Sequence, residues 1–276
     1  MTVTVQGAAT YLVDQGSGPP ILFLHGNPDS ADLWHNQIAH LSRDYRCLAP
    51  DLPGFARSDA PQGFDYSLDS LAAWVEDLLA AANVRGPVHL VVHDLGGPTG
   101  LAWATKHPDR VLSLVPINTV FFSDYRWHFF ARVWRTPVLG ELSMLLMNRF
   151  AFRQEIRRGS RKLDRDHIDR TYDQITPQMR RSVLRFYRAL TPQKLQAWEE
   201  GFTRLLEKVP VMVLWGDHDP YLPSRFAERF GTENVRHFPD CGHWTPEEKA
   251  LEVSRSLAEF LDGQASGVAA SSAAQD

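Results

Sequence analysis

V-H-L-V-V-H-D-L-G-G-P, residues 88–98, begins as an apolar run and ends on two glycines and a proline, from which the helix-like PTGLAWATKHPD continues. An apolar run of that length suits a strand buried on both faces of a parallel sheet. A strand end, then two glycines, then a helix describes the tight elbow on which a nucleophile is exposed. The elbow residue is Asp94, where the pattern usually has Ser, and Val92 stands where many elbows carry Gly. The bland alternative, Asp94 as a cap on the helix beginning near Pro98, ranks behind the elbow reading.

The same kind of run recurs on both sides: TVTV (2–5), ILFLHG (21–26), RCLAPD (46–51), VLSLVPIN (111–118), PVMVLWGD (210–217) and NVRHF (234–238). Helix-like stretches lie between them, such as the one opened by Ser67 as a cap, and the alternation predicts an α/β fold with right-handed crossovers. It breaks between about Val120 and Lys208, a stretch rich in aromatic and basic residues without a convincing strand. We read 120–208 as a helical lid inserted over the carboxyl edge of the sheet, where open α/β sheets bind ligands. Its arginines, interleaved with Asp and Glu, read as a solvated helix face rather than a nucleic-acid patch. The core is then 1–119 together with 209–262. The small, polar residues 263–276 are expected to form a disordered tail.

Two further signals fall at strand ends. In F-L-H-G-N-P (23–28), the loop after a buried strand can supply one backbone N–H of an oxyanion hole, with the residue after the nucleophile supplying another; these are Asn27 and Leu95. The Asn27 amide could also point a donor into the site, whereas His25 reads as a satisfied loop histidine. W-G-D-H-D-P (215–220) and C-G-H-W (241–244) then offer a carboxylate and a histidine. A histidine base needs a carboxylate to hold its tautomer, so His243 is paired with Asp219, ahead of its rival Asp217, which lies closer to the strand end. The order nucleophile, acid, histidine is the one this fold uses.

Composition narrows the classes. A chain of 276 residues that is 43% hydrophobic can bury a sizeable core, and a net charge of −4 argues against a phosphate-backbone binder. Cys47 and Cys241 lack metal-ligand spacing and read as reduced core thiols; no metal or organic cofactor is implied. Neither a signal peptide nor an apolar run near the ~20 residues of a membrane span is visible, so a cytoplasmic protein without a nucleic-acid or membrane partner is expected. Oligomeric state is not legible.

HGNP, DLPGFARSD, HDLGGP, WGDHD and CGHW together resemble the α/β-hydrolase superfamily, specifically its aspartate-nucleophile branch of haloalkane dehalogenases and epoxide hydrolases. The resemblance runs to about Asp262 and implies Asp94 as nucleophile, His243 as base and Asp219 as supporting acid. Asn118 occupies a position where some dehalogenases keep an acidic partner; an amide cannot do that work, which favours Asp219. A carboxylate attacking an acyl carbon would form an anhydride, whereas attack on a saturated carbon forms an alkyl ester that water can cleave. Dehalogenation of a small haloalkane ranks first, with Asn27 as a halide donor. Leu95 departs from that pattern, which has Trp there; Trp127, Trp134 or Trp198 could substitute. Epoxide opening ranks second: R-F-Y-R (185–188) resembles the epoxide-hydrolase lid motif and makes Tyr187 the ring-opening phenol, with Tyr125 or Tyr172 as a second. A non-catalytic protein binding a small ligand is the alternative from another class. The expected partners are a small apolar organic substrate and water.

Overall fold

The computed structural model describes residues 1–273, with side chains for 1–264. Eight strands form one sheet in the order β1-β2-β4-β3-β5-β6-β7-β8. In chain order these are β1 (Thr2–Val5), β2 (Ala8–Gln15), β3 (Pro20–Leu24), β4 (Arg46–Pro50), β5 (Val88–His93), β6 (Val111–Ile117), β7 (Val213–Gly216) and β8 (Val235–Phe238). From β4 to β8 every pairing is parallel, as near-continuous apolar runs require.

Two strands depart from the reading of buried parallel runs. TVTV pairs antiparallel with β2 at one edge and buries only Val5 fully. The intervening Gln6 and Gly7 both take positive φ (50° and 76°), the geometry of a tight hairpin turn. The Thr–Val alternation of period two explains why one face is left wet. At the other edge β8 is only partly buried, consistent with its polar Arg236 and His237.

Helices cover both faces. On one side lie α1 (His35–Leu41) and, at the end of the chain, α10 (Thr245–Glu248) and α11 (Ala250–Ala273); on the other lie α2 (Leu68–Ala81) and α3 (Gly96–Lys106). The Ser67 side chain accepts from the Ser70 N–H and caps α2, as read from the sequence. Strand β5 supplies both layers: Leu90 and Val92 join the core beneath α2 and α3, and Val91 joins the core beneath α11. Helix α11 runs past Gly263, where a disordered tail is expected, and continues to Ala273; four alanines, the strongest helix formers, stand among the small polar residues 263–273. Residues 274–276 lie outside the described residues.

Between β6 and β7 the chain forms α4 (Phe129–Arg135), α5 (Leu139–Leu146), α6 (Arg149–Gly159), α7 (Arg165–Asp173), α8 (Pro177–Ala189) and α9 (Pro192–Lys208), with no strand. The last two begin alike: Thr176 and Thr191 cap their helices through side-chain oxygens, and a proline follows at the first helical position. Helix α8 turns Met179, Val183, Phe186 and Tyr187 inward while Arg181 and Arg185 stay outside. Helix α9 returns along α3.

Candidate active site

Every polar residue of the constellation sits just past the carboxyl end of a parallel strand. Asp94 follows β5 with φ +46°, a left-handed conformation that costs a non-glycine residue energy and is sustained by its surroundings. Glycine is required beside it, because a Cβ on Gly96 would collide with the carbonyl oxygen of Leu24. Asp94 does not cap α3; the N-cap position belongs to Leu95, and no side chain caps it. The elbow is anchored from β6: Asp94 N–H donates to the Asn118 carbonyl (3.2 Å), and Thr119 Oγ1 donates to the Asp94 carbonyl (2.6 Å).

The backbone N–H of Asn27 donates to Asp94 Oδ1 at 2.7 Å, and the N–H of Leu95 also hydrogen-bonds this carboxylate. The two N–H groups assigned from sequence to an oxyanion hole thus converge on the aspartate's own carboxyl group. Its other oxygen, Oδ2, lies 3.7 Å from His243 Nε2. Burial pushes the Asp94 carboxyl above its ordinary range, opposed by the charge of His243 and the two N–H donors.

His243 Nδ1 lies 2.7 Å from Asp219 Oδ2, and both side chains are buried. Asp219 is saturated: Oδ1 accepts from the N–H groups of Tyr221 (2.7 Å) and Leu222 (3.0 Å), and Oδ2 also accepts from Asn118 Nδ2 (2.9 Å). Asn118 in turn accepts from Gly216 N–H (2.9 Å) and Thr245 Oγ1 (2.6 Å), so the amide that cannot serve as an acid orients the one that can. Burial alone would lower the His243 pKa, but Asp219 and then Asp94 raise it to about 9. Asp217 is not part of this group; it pairs with His237 at 2.6 Å on a half-exposed edge. His25 is a satisfied loop histidine, bonded to the Gly26 carbonyl and the Leu52 N–H. His93 donates through Nε2 to the His243 carbonyl (2.9 Å) and braces that loop.

A cavity of about 270 Å³ opens over Asp94 and His243. Its walls are mostly apolar, among them Met144, Met147, Phe152, Ile156, Met179 and Val183. Tyr187 reaches it from α8, is 3% exposed, and hydrogen-bonds the Asn27 side chain; burial and the neighbouring Asp94 charge hold its pKa well above 10. Trp127 and Trp134 pack edge-on against the Tyr187 ring, whereas Trp198 sits against Lys106, away from the cavity. Of the proposed second phenols, Tyr125 donates to the Tyr221 carbonyl (3.0 Å) and Tyr172 packs on Phe152 outside the cavity wall.

Four wall or support residues escaped the sequence reading. Tyr221 packs edge-on against His243 and donates to Glu155 (2.9 Å); His128 lines the cavity with its pKa lowered to about 4 by burial. Trp244 donates from Nε1 to Asp29 Oδ2 (2.9 Å), and burial raises the Asp29 carboxyl to about 7. Asp29 follows the HGNP motif and Trp244 closes CGHW, so both could be suspected from position; His128 carries no such signal. Cys47 and Cys241 are free and buried, and burial pushes both thiols up to about 12. Among the described residues no cluster of His, Cys, Asp or Glu could hold a metal ion, and no helix is long and apolar enough to cross a membrane.

An elbow aspartate, a buried carboxylate–histidine pair and this strand order define an α/β-hydrolase. The family model for the alpha/beta hydrolase fold matches residues 19–250, and the chain belongs to that family. It is 30% identical to a cis-3-alkyl-4-alkyloxetan-2-one decarboxylase of Xanthomonas campestris, over 93% of each chain. It is also 30% identical to a haloalkane dehalogenase of Mesorhizobium japonicum, over 91% of this chain and 87% of that one. Among solved structures, an ancestral haloalkane dehalogenase superposes with a TM-score of 0.82 at 26% identity, covering 96% of this chain and 99% of that one.

Proposed function

We propose that this enzyme forms a covalent alkyl ester on Asp94 and hydrolyses it with water activated by His243. The observation that carries this reading is the asymmetry of the Asp94 carboxyl group: Oδ1 is held by the Asn27 backbone N–H while Oδ2 lies toward His243 at the cavity. In the first step Oδ2 attacks a saturated carbon and the bond to the leaving group breaks. In the second, His243 Nε2 takes a proton from water, and the hydroxide adds to the Asp94 carboxyl carbon. Negative charge then develops on Oδ1, which the Asn27 N–H already holds, with the Leu95 N–H bonded to the same carboxyl group. The tetrahedral species collapses by breaking the bond from the carboxyl carbon to Oδ2; the alkoxide leaves as the alcohol with the proton held on His243, and the re-formed Asp94 acid ionises. The two steps suit a histidine whose pKa is raised partly by Asp94. Alkylation removes that negative charge, so the imidazole becomes easier to deprotonate when a base is needed. The helices α4 to α8 serve as the lid that keeps the cavity apolar.

The donor set supports an oxygen leaving group over a halide, reversing the order read from sequence. Tyr187 lines the cavity beside Asp94 and pairs with the Asn27 side chain, so its phenol is placed to protonate an alkoxide formed by attack from Asp94. A halide needs N–H donors instead; Leu95 supplies no indole, and of the three candidate substitutes Trp134 lines the cavity. Trp244 has its N–H on Asp29. The substrate class on this reading is a small apolar epoxide, converted to a diol. Halide displacement is the second reading, supported by the Asn27 amide in the wall and by the dehalogenase relatives. Side-by-side assays of a styrene-type epoxide and a bromoalkane, measuring diol and halide, separate the two. For either substrate, H243Q should accumulate an adduct on Asp94 visible by intact mass. A proven substrate that leaves Asp94 unmodified in that variant refutes the covalent mechanism.

A further inference from the structure

Of the nine large apolar side chains exposed among the described residues, seven fall between residues 129 and 150. They include Phe129 on α4 (58% exposed), Leu139, Leu142, Leu145 and Leu146 on α5 (53%, 48%, 78% and 66%) and Phe150 on α6 (70%). Helix α5 is amphipathic with its leucines turned outward; only Gly140 and Met144 are buried. Leu146 is both exposed and part of the cavity wall, so the patch is continuous with the rim of the active-site cavity.

The charge around this patch is as uneven as its apolarity. Residues 126–161 contain eight arginines against two acids. The whole 120–208 segment has 18 basic and 10 acidic residues in a chain whose net charge is −4, so the rest carries −12. Arg132 lies one turn from Phe129, and Arg157 lies two turns from Phe150 on the same helix face. Both are exposed, as are Arg126 and Arg161, and none of the four forms an ion pair with a described residue.

We propose that the α4–α6 face docks on an anionic lipid surface, from which a lipophilic substrate enters the cavity past Leu146. Outward leucines and phenylalanines rimmed by unpaired arginines are the pattern by which an interfacial helix binds such a surface. The acidic remainder of the chain is repelled by the same surface and orients the molecule with its cavity rim down. A second copy of the chain fits this face poorly, because a two-fold contact would bring the same arginine-rich patch of both copies together. The absence of a spanning helix, from which no membrane partner was expected, does not bear on a peripheral contact of this kind.

The test is co-sedimentation of the full chain with phosphatidylcholine vesicles, with and without phosphatidylglycerol. Binding is expected only with the anionic lipid and is expected to weaken as salt is raised. The variant L142E/L145E, on side chains outside the cavity wall, should reduce partitioning roughly tenfold or more. R132E/R157E should reduce it to a similar degree, with unchanged circular dichroism in both variants. Failure to bind phosphatidylglycerol vesicles overturns the proposal, as does binding that neither variant alters. A concentration-dependent dimer abolished by L142E/L145E also overturns it, by assigning the face to a second copy.

Discussion

Replacing Asp219 by Asn exposes how the buried ion pair sets the chemistry of His243. The Asp219 carboxylate accepts four hydrogen bonds, from Tyr221 N–H, Leu222 N–H, Asn118 Nδ2 and His243 Nδ1. An amide in its place can accept the two backbone donors only by turning its NH₂ toward Asn118 Nδ2 and His243 Nδ1, placing donor against donor. The opposite orientation sets NH₂ against the backbone N–H groups. Either arrangement strands a buried donor, at a cost of about 1–3 kcal/mol in stability. The electrostatic consequence is larger. Burial pulls the His243 pKa down, yet Asp219, with Asp94 behind it, lifts it from 6.5 to about 9. That difference corresponds to about 3 kcal/mol in favour of the imidazolium. Because the folded pKa is raised, this stabilisation is fully present below pH 6.5 and is lost as pH rises through about 9. In D219N the imidazole should titrate well below 9, and the wrong tautomer should slow ester hydrolysis by about 10²- to 10⁴-fold. Histidine-selective NMR titration and rapid-quench measurement of the alkyl-enzyme check both expectations. A His243 that still titrates near 9 in D219N, with unchanged ester turnover, refutes the pairing of these two residues as the source of the base.

N118A removes a donor to Asp219 and an acceptor for Thr245 without touching His243; it should lower stability by about 1–3 kcal/mol, read by thermal denaturation. G96A forces a Cβ into the Leu24 carbonyl and should cost more than about 3 kcal/mol in chemical denaturation, whereas G63A, with no heavy atom within 4 Å of its Cβ, should lack such a collision. The rate of Asp94 alkylation should fall on acidification with a midpoint above that of an ordinary aspartate, because burial raises this carboxyl and only the ionised form attacks; single-turnover rates across pH show it. Y187F should slow epoxide opening by about 10²-fold or more while sparing bromoalkane turnover, and equal loss on both substrates would argue against proton donation.

Much of the architecture was readable because buried parallel strands write themselves as unbroken apolar runs. β3 to β7 are found this way, and the elbow at Asp94 is marked by the glycines that close approach demands. The hairpin partner β2 went unread. Its face alternates, and the Gln6–Gly7 turn that pairs it with TVTV is a two-residue signal inside an otherwise ordinary segment. The reach of α11 past Gly263 is hidden for a different reason: the small residues that resemble a linker include alanine, the strongest helix former, beside glycine and serine.

By itself the sequence determined which chemical groups would stand at the carboxyl edge of the sheet, since strand ends and their order are local, periodic properties. Tertiary structure alone decided how those groups face one another. Asp217 and Asp219 are two residues apart in one turn, and only the packed turn sends Asp219 inward to His243 and leaves Asp217 on the edge with His237. The same holds for the backbone N–H groups of Asn27 and Leu95, which come from loops after different strands and converge on one carboxyl oxygen environment. Tyr187, carried by a helix inserted after β6, meets Asn27 only because α8 folds back across the sheet edge. Side-chain direction at such junctions depends on contacts between segments distant in the chain, which no local pattern records.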